Sequence, residues 1–71
     1  MKASNENIFL VIERTCEGKK KVSWQEIVAD VKATGMVIKN WMKVRNVLQA
    51  FVNNQRLSRA KDVMVEEYQV H

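Results

Sequence analysis

Residues 23–53 read SWQEIVADVKATGMVIKNWMKVRNVLQAFVN, and this stretch decides the fold. Ser23-Trp24-Gln25-Glu26 is a capping box: the serine hydroxyl accepts from the amide three residues on, and the glutamate side chain reaches back to the cap amide. A helix is therefore predicted over residues 24–32. Trp24, Ile27, Val28 and Val31 form its apolar stripe, with Gln25, Ala29, Asp30 and Lys32 outside it, and the pattern stops at Ala33-Thr34-Gly35. A longer helix is predicted over residues 36–53, where Val37, Trp41, Val44, Leu48, Phe51 and Val52 share one wide stripe. Lys39, Lys43, Asn46, Ala50 and Asn53 fall on the opposite side, with Met42 and Gln49 on one flank and Asn40 on the other.

Upstream, residues 4–17 predict a further helix. Ser4 is a good N-cap, Glu6 complements the positive end of the dipole, and Gly18 suits the left-handed position past the C-terminus. Ile8, Ile12 and Cys16 fall on one face with Phe9 and Val11 beside them, whereas Leu10 lies opposite with Glu13, Arg14 and Glu17. Leu10 is either a lone exposed apolar residue or part of a dimer contact. Lys19-Lys20-Lys21 reads as a charged connection, and Val22 suits a short bridge in a sheet. Downstream, residues 56–70 read as two β segments around a short turn at Lys61-Asp62, because Val63, Val65, Tyr68 and Val70 favour strand. Arg59 is expected opposite Val63 or Met64, the choice resting on turn length.

The chain has 71 residues, enough for one small domain with a thin core. A single cysteine makes no internal disulfide and no thiolate cluster, which points to a reducing, cytoplasmic setting. The longest apolar run, residues 8–12, is far too short for a membrane span, and residues 1–7 (MKASNEN) lack the character of a leader segment. The only histidine is His71, so no Ser-His, Cys-His or His-rich metal constellation can be assembled. The chain is expected not to be an enzyme and to need no cofactor or small-molecule substrate. Trp24 and Trp41 are read as core residues, and Cys16 as a small buried hydrophobe.

The formal charge of +4 is unevenly distributed. Residues 1–18 hold two cations and three carboxylates, residues 62–71 hold three carboxylates, and residues 19–61 hold ten cations against two carboxylates, a net of +8. A basic middle of this kind suits a surface that meets phosphate, or one that meets an acidic protein.

Two helices joined by a short Gly-containing turn, the second bearing a basic and amide stripe, form the pattern of a helix-turn-helix. The stretch 44–70, VRNVLQAFVNNQRLSRAKDVMVEEYQV, resembles the second half of winged helix DNA-binding domains. It offers a helix ending in an apolar pair, a polar turn, a leucine opening a strand, an arginine at the wing and a tyrosine in the returning strand. More loosely, the chain resembles the small regulators of fimbrial operons and mobile elements. It departs from the pattern where Asn53-Asn54-Gln55 replace the usual glycine before the wing. The resemblance implies a mostly helical α+β fold: a three-helix winged helix-turn-helix with a C-terminal β-hairpin wing.

The expected function is duplex DNA binding and transcriptional regulation without catalysis. An α-helix fits the major groove, where Lys39 and Lys43, one turn apart, suit phosphate or guanine, and Asn40 and Asn46 suit adenine. Arg56, Arg59 and Lys61 on the wing suit flanking backbone or minor groove. Lys20 and Lys21, ahead of a capped helix, suit phosphate. The alternative is a protein-interaction module in which Leu10, Met42 and the acidic ends meet a partner. A homodimer is expected as well, since one recognition helix and a small wing bury little surface.

Overall fold

Ser4 and Ser23 start two helices in the same way. The Ser4 hydroxyl accepts from the Asn7 amide at 3.2 Å and opens α1 (Asn5–Cys16). Ser23 accepts from the Glu26 amide at 3.1 Å and opens α2 (Trp24–Ala33), the serine half of the capping box, while the Glu26 carboxylate takes Lys19 at 2.8 Å instead of the cap amide. The computed structural model describes residues 1–60 and 66–71. Within them, strand β1 (Lys21–Ser23) lies between α1 and α2, and α3 (Met42–Asn53) precedes β2 (Leu57–Arg59) and β3 (Glu67–Val70). Among the described residues the fold is α+β, with three helices and a three-stranded antiparallel sheet in the order β1-β3-β2.

The helices bury the faces that their periodicity marks. Ile8, Val11 and Ile12 of α1, Ile27 and Val31 of α2, and Val44, Val47, Leu48 and Phe51 of α3 meet in one cluster. Val22, Leu57 and Tyr68 close it from the sheet, and Phe9, Cys16, Trp24 and Trp41 pack on it half-buried. Phe9 stacks on Phe51 with ring centroids 4.6 Å apart, and Trp24 meets Trp41 edge-on at 6.2 Å. Among the described residues the one buried polar side chain, Thr15, donates to Asp30 at 2.7 Å and ties α1 to α2. Among the described residues no helix is long and apolar enough to cross a membrane.

The structure corrects the sequence reading in three places. The third helix begins at Met42, not at residue 36, so residues 34–41 form a longer link than a turn of three. Gly35 takes φ +83° and Thr34 accepts from the Met36 amide, so the chain leaves the helical path there. Met36 and Ile38 still reach the core, whereas Val37, expected in the apolar stripe, is 74% exposed. Second, Arg59 pairs with Tyr68, not with Val63 or Met64, since β3 starts later than a tight turn requires. The expected turn at Lys61-Asp62 and the strand residues Val63 and Val65 lie outside the described residues. Third, Lys21 belongs to a strand instead of a loop and pairs with Gln69.

Candidate nucleic-acid interface

On α3 the buried residues Val44, Val47, Leu48 and Phe51 define the inner face. At about 100° per residue, the opposite face is centred on Met42, Asn46, Gln49 and Asn53, all exposed. Three amides thus run down the outside of the helix. Arg59 comes to them from the sheet. It shares the helix-facing side of β2 with buried Leu57, and its Nη2 donates to Gln49 Oε1 at 3.0 Å. Gln49 Nε2 in turn donates to Asn53 Oδ1 at 3.0 Å. Asn46, Gln49 and Arg59, together with Arg45 and Tyr68, line a groove of about 200 Å³ between α3 and the sheet.

Arg45 stands on the flank of α3 that faces the sheet. Its guanidinium holds both oxygens of Glu66, at 2.8 and 3.1 Å, and lies 4.1 Å over the Trp24 ring. Tyr68 donates to the same carboxylate at 2.7 Å. The Arg45 and Tyr68 hydrogen bonds hold the Glu66 carboxyl below its ordinary range. Burial, and then the hydrogen bond to Glu66, push the Tyr68 phenol up to about 12. A planar fork that grips a carboxylate bidentately is equally suited to phosphate.

The residues expected to contact DNA separate into distinct places. Asn46 and Arg59 lie at the outer face just described. Lys43 sits on the other flank of α3, and its Nζ donates to the Ala3 carbonyl at 2.7 Å. Lys39 is exposed but belongs to the link before α3, so it does not stand one helical turn from Lys43. Asn40 is engaged locally just before α3, its Oδ1 accepting from the Met42 amide at 3.0 Å. Arg56 pairs with Glu13 of α1 at 3.0 Å and covers Phe9 and Phe51, which places it over the core. Lys20 lies just before β1, and Lys21 points off the sheet face away from the helices, since its neighbour Val22 is buried. Lys61 lies outside the described residues.

Folding also redistributes the charge. Lys19, Arg45 and Arg56 are paired with Glu26, Glu66 and Glu13, so carboxylates from both acidic ends fold back onto the basic segment. Lys39, Lys43 and Arg59 enter no ion pair among the described residues. Gln49 and Asn53 join the outer face although the sequence reading chose neither as a contact: it put Asn53 on the side opposite the apolar stripe and Gln49 on the flank. Helical phase counted from Val44 and Phe51 alone, without the residues before Met42, would have found both. Among the described residues no group of His, Cys, Asp or Glu is arranged to hold a metal ion. Burial raises the Cys16 thiol pKa, which keeps it a poor nucleophile.

No family model, curated protein or solved structure matches the chain.

Proposed function

We propose that this chain binds duplex DNA as a winged helix-turn-helix regulator, laying α3 in the major groove with the β2–β3 hairpin as its wing. The observation that carries the reading is the amide row Asn46, Gln49 and Asn53 on the outside of α3, joined by Arg59 from the sheet. Side-chain amides present donor and acceptor together and so can pair with adenine, each good bidentate contact being worth about 1–3 kcal/mol of discrimination. Arg59 is placed where the wing meets the helix, and Lys39 and Lys43 add positive charge near the start of α3. The order of elements and the sheet order β1-β3-β2 support the same reading.

Engagement is expected to begin electrostatically, with the lysines and Arg59 displacing counterions from phosphate. The Arg59–Gln49 hydrogen bond is exposed and exchanges readily, which frees Gln49 for a base edge and Arg59 for phosphate. Selection from a random duplex pool tests the proposal. The parent is expected to enrich a defined sequence. The triple variant Asn46→Ala, Gln49→Ala, Asn53→Ala, altered only at exposed positions, is expected to keep salt-dependent binding while losing that enrichment. A folded triple variant that selects the same sequences as the parent would remove α3 from the reading role.

A further inference from the structure

We infer that the groove between α1 and α3 seats a second copy of this chain. The groove encloses about 870 Å³, with Phe9, Val47 and Ala50 among its lining residues. Leu10 on the α1 rim and Met42 on the α3 rim are 48% and 56% exposed, an apolar display that the fold itself does not use. The rims carry opposite charge: Glu6 on α1 and Lys43 on α3. Neither joins an ion pair among the described residues.

That pattern is self-complementary. Lys43 bonds to Ala3, just before α1, and Phe9 stacks on Phe51 near the far end of α3, so the two helices run along the groove in the same sense. A two-fold axis along the groove lays the α1 rim of each copy over the α3 rim of the other with their ends matched. Glu6 then meets the partner's Lys43, and Leu10 meets the floor near Ala50 and Val47, twice by symmetry. An interface of standard size takes about 800 Å² from each partner, roughly a sixth of this chain's 5038 Å² surface. A thin single core gains much from such cover. An acidic or a basic foreign partner would satisfy only one rim, which favours the chain's own copy.

The inference does not rest on the DNA reading. Met42, Lys43 and Asn46 border both surfaces, so the test is run without nucleic acid. Sedimentation equilibrium over a wide concentration range is expected to show the parent in reversible monomer–dimer exchange. Glu6→Lys and Lys43→Glu are each expected to raise the dissociation constant about tenfold or more, the effect of like charges facing across an interface. Mixed in equal amounts, the two single variants should form a heterodimer tighter than either homodimer, because both rim contacts regain opposite charge. Glu6 also favours the α1 N-terminus, so Leu10→Glu, at an exposed mid-helix position, serves as a second variant and should weaken the dimer with an unchanged circular dichroism spectrum. A parent that stays monomeric at every concentration overturns the inference. So does a dimer indifferent to both charge reversals and to Leu10→Glu, or a monomer whose groove takes only an unrelated amphipathic helix.

Discussion

Tyr68 couples the sheet to α3 through one hydroxyl. Its ring is buried against the core while its oxygen donates to Glu66, which also holds Arg45 of α3 and so links the sheet to the helix. The phenol is raised to about 12, so its contribution to stability is fully present below the ordinary tyrosine range and is lost as pH rises through the folded value. Spectrophotometric titration of this single tyrosine should give a midpoint near 12, falling in Glu66→Gln, where the charged acceptor is gone. A midpoint at the ordinary tyrosine value in folded protein would contradict the burial and the hydrogen bond. Glu66 has the opposite sign: its lowered folded value adds stability above the unfolded value, lost as acid protonates it. Tyr68 was legible in the sequence as a strand residue, but the Arg45–Glu66 pair was not. Those two residues meet only through a register that depends on where β3 begins.

At the scale of the elements, α1 and α2 were legible nearly to the residue because serine caps, acidic first turns and glycine stops all agree. The start of α3 was misread for a physical reason. The sequence reading put Val37 and Trp41 in the helical stripe, whereas Met36, Ile38 and Trp41 face the core from a non-helical link and Val37 is exposed. The end of α3 lacks the usual glycine, and the structure shows what replaces it. Gln55 adopts φ +61°, its amide bonds to Val52 O at 3.0 Å, and the Arg56 amide bonds back to Phe51 O at 2.9 Å, a Schellman closure. A side chain at that position costs roughly 1 kcal/mol. Gln55→Gly is therefore expected to stabilise the fold, raising Tm by about 4–8 °C. A melt showing loss of stability would contradict the left-handed assignment. In the other direction, Ser23→Ala should cost about 1 kcal/mol in denaturant unfolding, because the second-helix cap is removed.

Across the whole molecule, the sequence places ten cations in one segment, but the fold spreads them over several faces. Arg56 covers the Phe9–Phe51 stack, Lys21 leaves the far side of the sheet, and Arg45 is held by Glu66, so the segment total overstates the charge at any one surface. What remains beside the outer face of α3 is a smaller cationic set with Arg59 at its centre and Lys43 and Lys39 near the helix start. The candidate site was thus partly legible: Asn46 and Arg59 follow from type and position, whereas the coupling of Arg59 to Gln49 needs the hairpin's return path. The most direct test of the DNA-binding account titrates the parent with a short mixed-sequence duplex at several salt concentrations while following backbone amide shifts. The account predicts binding that weakens with salt at a log–log slope of about −3, consistent with three or so phosphate contacts, and shifts centred on Asn46, Gln49, Asn53 and Arg59. Absence of binding at low salt by the folded protein, or shifts that spare α3 and β2, would contradict it.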